Sequence, residues 1–133
     1  MTADPLVPGD RAAIEDLLSG YVLALDVHDI DAAVELFTQH GEFRTYGRVF
    51  AGPGLRRMFD TAPAGLHLAG RALIRPDGKG ATVRQQLVFF PADRSPHRLA
   101  IYDDVVVRTD GRWRFRSREC RFLNERGELV PRP

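Results

Sequence analysis

The sequence holds a single cysteine, Cys120, which excludes an internal disulfide and any metal site built on paired thiolates. A lone cysteine also fits a reducing compartment, so a cytoplasmic location is expected. No apolar run approaches the ~18 residues of a membrane-spanning helix. The opening residues, MTADPLVPGD, lack a basic stretch followed by an apolar run, so no secretory signal is expected. Charge of one sign is also missing. The formal net charge is +1, which gives no long-range field toward nucleic acid or an anionic membrane. The four histidines show no HxxxH spacing, and no Gly-rich phosphate loop or nucleophile elbow occurs, so neither a metal nor a cofactor is expected. There is no internal repeat, low-complexity tract or composition break, and residues 1–133 read as one domain.

What is present is ordinary for a globular chain: 44% apolar and 28% charged residues, with eight Phe and three Tyr to line a core or a pocket. The strongest periodicity lies in residues 10–28. Ile14, Leu17, Leu18, Tyr21, Val22 and Leu25 recur at helical steps, with Asp10 as the expected N-cap. Asp26 stands out in this helix. A carboxylate in the last turn meets the negative end of the macrodipole at a cost of roughly 0.3–1 kcal/mol. Asp26 also lies on the shoulder of the apolar stripe, so it needs a partner. Tyr21 falls about 140° away around the helix, which makes the two flank a hollow.

Residues 1–9 read as a loose lead-in. A second helix is expected over 30–39, N-capped by Asp29 and ended by His40 and Gly41. Short strands at 42–46 and 48–51 flank a Gly47 turn, and a short helix follows over 55–61. Four long strands then follow, at 66–75, 81–90, 97–109 and 112–123, the last two joined by an Asp110-Gly111 hairpin. The tail, 124–133, reads as peripheral. Helices first and antiparallel strands afterwards imply α+β, with three helices packed on one face of a curved sheet.

Two strand patterns bear on a site. Leu99, Ile101, Val105 and Val107 share one face of their strand with Asp103 and are expected to be buried. Tyr102 and Asp104 share the other face, which lines either a cavity or an interface. On the last strand Trp113 and Phe115 oppose Arg114, Arg116 and Arg118, so Arg118 enters a pocket only if a bulge near Ser117 breaks the parity. An Asp on this sheet and an Arg of the last strand are expected to pair.

This order of elements resembles the SnoaL-like branch of the nuclear transport factor 2-like superfamily, a cone-shaped α+β barrel. The residues that carry the resemblance are Tyr21 and Asp26, the Asp29–Phe37 stretch, Gly52, His67, Tyr102-Asp103-Asp104 and the stretch from Asp110 to Arg118. The resemblance implies an Asp–His acid/base pair like that of scytalone dehydratase, bile acid dehydratase and hexachlorocyclohexane dehydrochlorinase. Asp26 matches the acid and His67 the base. Tyr21 matches the phenol of bile acid dehydratase, and Arg118 resembles an arginine that some members place in the pocket. The function this implies is a cofactor-independent lyase or isomerase, acting by dehydration, isomerisation or cyclisation on a hydrophobic cyclic or polyketide-like substrate. Phe37, Phe43, Phe59, Phe89, Phe90, Tyr102 and Asp104 are the expected lining. The alternatives are a non-catalytic ligand-binding or homodimeric assembly module, or an accessory subunit of an oxygenase. The fold alone does not separate these.

Overall fold

The computed structural model describes residues 5–130; the expectations for residues 1–4 and 131–133 lie outside that range. Helix α1 spans Asp10–Asp26, α2 Ile30–Glu35 and α3 Pro53–Thr61. The strands are β1 (Phe37–Thr45), β2 (Arg48–Ala51), β3 (Gly65–Ala69), β4 (Leu73–Asp77), β5 (Gly80–Pro91), β6 (Arg98–Thr109) and β7 (Arg112–Phe122). They form a seven-stranded sheet in the order β2-β1-β7-β6-β5-β3, with β4 also on β5. All pairings are antiparallel except β1 with β7. The fold is therefore the expected one: three helices on a mostly antiparallel curved sheet.

Asp10 is the first helical residue and not the cap. Gly9 holds the cap position with φ 97°, and the Asp10 carboxylate accepts from the Val7 backbone N–H (2.7 Å) and the Trp113 indole (3.2 Å). Helix α1 buries Ile14, Leu17, Leu18, Tyr21 and Val22 as its spacing required. Each such aliphatic side chain contributes roughly 1.5–3 kcal/mol of burial free energy. The helix closes in a Schellman turn. The Asp29 N–H reaches the Ala24 carbonyl (2.7 Å), the His28 N–H reaches Leu25 (3.1 Å), and His28 takes the left-handed conformation (φ 57°). Asp26 is left as the last helical residue. Asp29 caps α2 as expected, accepting from the Ala32 N–H at 3.1 Å.

Several boundaries differ from the sequence reading. Helix α2 stops at Glu35 because Phe37 is drawn into β1, in register with Phe115, while the Phe115 N–H bonds the Leu36 carbonyl (2.8 Å). His40 and Gly41 thus lie in a strand. A Cβ on Gly41 would sit 2.9 Å from the Phe115 carbonyl oxygen, so glycine there permits close strand approach and does not end a helix. The strand expected over 66–75 is broken into β3 and β4, which share one edge of β5; Gly70 bridges them through its N–H to Gln86 (2.9 Å). Leu129 bridges Leu123, and the Val130 N–H bonds the Phe122 carbonyl at 2.8 Å. Two of the three two-residue hairpins have the positive φ pair of a type I′ turn, at Tyr46-Gly47 and Asp110-Gly111; the third, Gly78-Lys79 between β4 and β5, has positive φ only at Gly78.

The faces of β6 are reversed relative to expectation. Ala100, Tyr102, Asp104 and Val106 are buried under the helices, while Leu99 is 41% exposed. The bulge on β7 does occur, with Arg116 as the extra residue: Val105 opposes Ser117, and Val106 opposes Phe115. After it, Arg118 and Cys120 face inward like Trp113 and Phe115 before it.

Candidate active site

Asp26 projects from the last turn of α1 toward edge strand β3, where His67 is the central residue. Two hydrogen bonds converge on one carboxylate oxygen. The His67 backbone N–H donates to Asp26 Oδ1 at 3.0 Å, and His67 Nδ1 lies 2.7 Å from the same atom. The acid at the wrong end of a helix thus finds its compensation in an edge strand. The outer side of β3 has a free N–H, and Asp26 accepts it. Holding both backbone and ring of one residue, Asp26 fixes where His67 stands and how its imidazole turns. With Nδ1 donating to a carboxylate, Nε2 keeps a lone pair.

The two side chains are nearly buried, at 10% and 13% exposure. Desolvation dominates His67 and lowers its pKa below the usual 6.5, against the opposing hydrogen bond and charge of Asp26. The net direction is opposite to a simple carboxylate-raises-histidine argument. Its consequence is a neutral imidazole at pH 7, ready to accept a proton.

His67 lines a partly open cavity of about 270 Å³. Of the expected residues, Tyr21, Phe43, Phe59, Phe89 and Tyr102 share that wall. Gly65 opens β3 where a Cβ would stand 2.6 Å from the Phe89 ring, so His67 and Phe89 can pack with ring centroids 4.7 Å apart. Burial raises both phenols well above their ordinary range, most strongly opposed for Tyr21 by Arg118. They therefore remain protonated donors.

Five expected residues lie off the wall, and one of them is Asp26, which stands behind His67. Phe37 is packed in the core against Phe59 and Phe115, with centroids at 5.7 and 5.1 Å. Phe90 points to the opposite face of the sheet and is 43% exposed. Arg118 is wholly buried behind the phenols, its guanidinium carbon 3.6 Å from the Tyr102 centroid, 4.4 Å from Tyr21 and 4.6 Å from Phe115. Asp104 sits beneath it, Oδ1 3.0 Å from Arg118 Nε, so the expected Asp–Arg pairing across β6 and β7 is present. That contact is close but not aligned: neither carboxylate oxygen has a well-directed hydrogen-bond donor. Arg118 Nη2 reaches Gln85 Oε1 at 3.4 Å. Burial pushes the Asp104 pKa up to about 7, with Arg118 pulling against it.

The sequence reading missed several wall residues, among them His28, Met58, Arg98, Cys120 and Phe122. A signal existed for Arg98, which shares strand parity with Tyr102. For Cys120 and Phe122 the signal was the parity change after the bulge. His28 read only as a helix-end residue, and it is that as well. Burial pushes the Cys120 thiol up to about 12, so it is an inert wall group. Among the described residues no group of three or more metal-ligating side chains comes together.

Known proteins share the fold. Rv3472 of Mycobacterium tuberculosis, a protein of unknown function, superposes with a TM-score of 0.77 at 28% identity, covering 90% of this chain and 78% of its own. An NTF2-like protein with a cystatin-like fold from Novosphingobium aromaticivorans gives 0.78 at 25% identity, covering 87% and 83%. LinA gives 0.77 at 19% identity, covering 91% and 88%, a likeness of fold alone. No curated protein matches in sequence. The family model of the SnoaL-like domain matches residues 9–119, and the chain belongs to that family.

Proposed function

We propose that this protein is an acid/base enzyme of the lyase or isomerase kind, acting without a cofactor on a hydrophobic cyclic molecule. The observation that carries this reading is His67 on the wall of an aromatic cavity that side chains do not fill, in hydrogen-bond contact with Asp26 behind it. His67 Nε2 takes a proton from a carbon next to a carbonyl, and Asp26 holds the imidazolium that forms. The Tyr21 hydroxyl donates to the substrate oxygen as negative charge grows there. The same imidazolium then returns the proton to a leaving hydroxyl, completing a dehydration, or to another carbon, completing an isomerisation. Phe43, Phe59 and Phe89 keep water away and strengthen these interactions. Arg118, sealed behind Tyr21 and Tyr102, acts at one remove through their rings and does not touch substrate.

The test is exchange of carbon-bound protons into D₂O, followed by NMR over a panel of cyclic ketones and β-hydroxyketones. His67→Ala should lose about 10²–10⁴-fold in rate, the span that positioned acid–base groups supply, with circular dichroism and ligand binding kept. A variant as fast as the parent protein discards the mechanism.

A second reading, assembly through the outer sheet face, has its own observation. Leu68, Val88, Leu99 and Leu123 form a row across β3, β5, β6 and the residue after β7, with Leu66 and Phe90 beside it. Leu66, Leu68, Phe90 and Leu99 are each 41–55% exposed, an apolar patch of the kind that pairs with a second copy. Leu68→Glu should then convert a dimer to a monomer in light scattering; a parent protein that is monomeric at micromolar concentration removes this reading.

A further inference from the structure

The charges around the cavity are uneven. Among the described residues that line it none is Asp or Glu, and three can carry positive charge: His28, His67 and Arg98. Two of these are answered. His67 has Asp26 behind it, and His28 Nε2 lies 3.6 Å from Asp60. Arg98 has no carboxylate within 4.0 Å among the described residues. Its guanidinium carbon stands 5.9 Å from the centroid of the Phe122 ring, another wall residue. Asp93 feels Arg98 only as its weakest influence and accepts from the Ser95 N–H at 2.8 Å. Arg98 is thus an exposed, permanently charged fork at the rim of an aromatic hollow, with no acid of its own.

The sheet register fixes the span between this charge and the imidazole. His67 on β3 opposes Phe89 on β5, and Phe89 opposes Arg98 on β6. The three share one row and one face, so the outer two backbones lie about 9–10 Å apart, twice the strand spacing. The floor between them is the Phe89 ring. A flat molecule lying on that ring meets His67 at one end and Arg98 at the other.

We propose that the cavity takes an apolar one- or two-ring acid, its carboxylate held by Arg98 and its ring carbons presented to His67. This deepens the reading of the cavity as the reaction chamber and rests on it. A guanidinium matches a carboxylate in two parallel N–H···O bonds, which fixes orientation as well as affinity. Carbons one ring away from the acid group then fall beside the imidazole. A volume of about 270 Å³ accepts a molecule of this size.

The test uses 2-naphthoate and its neutral counterpart 2-naphthamide as probes, titrated calorimetrically against the full chain at pH 7. The parent protein should bind the acid about five- to tenfold more tightly than the amide, the worth of a charge-assisted contact discounted for exposure at the rim. Arg98→Gln should remove that preference and leave amide binding unchanged, and His67→Ala should retain it. Equal affinity for the two probes, no binding of either, or a preference that survives Arg98→Gln overturns the proposal. The preference is independent of turnover. If it is present while His67→Ala leaves proton exchange unchanged, the acid site stands and the mechanism falls; the reverse result does the opposite.

Discussion

Two largely buried carboxylates each face a basic side chain, and the contrast between them separates a site from its support. Asp26 accepts two directed hydrogen bonds from His67, which itself lines a cavity. Asp104 lies at 0% side-chain exposure against an equally buried Arg118, in a contact that is short but poorly aligned. The first pair contains a group that can take up and release a proton and has a lone pair to offer. The second contains a cation that cannot lose its proton, stacked on Tyr102 and Tyr21 with no path to solvent. Similar partners thus give a chemically available group in one place and a fixed charge in the other. Solvent access and hydrogen-bond direction make the difference, not the identity of the acid.

Breaking the sealed pair should have the larger effect. Arg118→Ala leaves Asp104 buried and uncompensated, and about 3–5 kcal/mol of stability should be lost in urea unfolding. Replacing both partners, Arg118→Met with Asp104→Leu, should recover most of it, because two desolvated charges give way to apolar packing. If the single change proves mild, the pair is not the internal charge support described here. Breaking the open pair should act on chemistry. Asp26→Asn keeps an oxygen for the His67 N–H but removes the charge, and turnover should fall on the order of 10²-fold with little change in stability.

The pH profile sharpens the same contrast. His67 must be neutral to act as a base, and its folded pKa lies below 6.5 because burial outweighs Asp26. Activity should therefore be level through pH 7 and fall only as pH drops through that lowered value. Since the unfolded chain binds the proton more readily, the contribution of His67 to stability also rises with pH across the same window and is constant above 6.5. Asp26→Asn removes the charge that raises the pKa and weakens the hydrogen bond that adds to it, so the acid limb should move to still lower pH. A limb that moves upward would show that Asp26 opposes, and does not support, the protonated imidazole.

Much of this could be read from residue order. The period of α1, the Asp29 cap and the Asp110-Gly111 turn are local features, decided by residues within a few positions of one another. They are where the reading and the structure agree. The errors fall where partners distant in sequence compete. Phe37 has the spacing of a helix residue, but pairing with Phe115 carries it into β1. On β6 both faces carry apolar groups, so alternation alone cannot say which is covered; Asp104 goes inside only because Arg118 meets it there. The site divides in the same way. The mismatch of Asp26 with its helix end announced the need for a partner, whereas the row joining His67, Phe89 and Arg98 exists only in the register of three strands.

The sequence by itself determined the helices, the turns, the α+β order of elements and the presence of an acid that required compensation, because each follows from neighbours along the chain. Only the tertiary structure decided which face of the sheet became the cavity wall, which arginine was sealed away and which stood at the rim. Those outcomes depend on one bulge at Arg116 and on strand register, where a shift of a single residue turns every side chain to the other face.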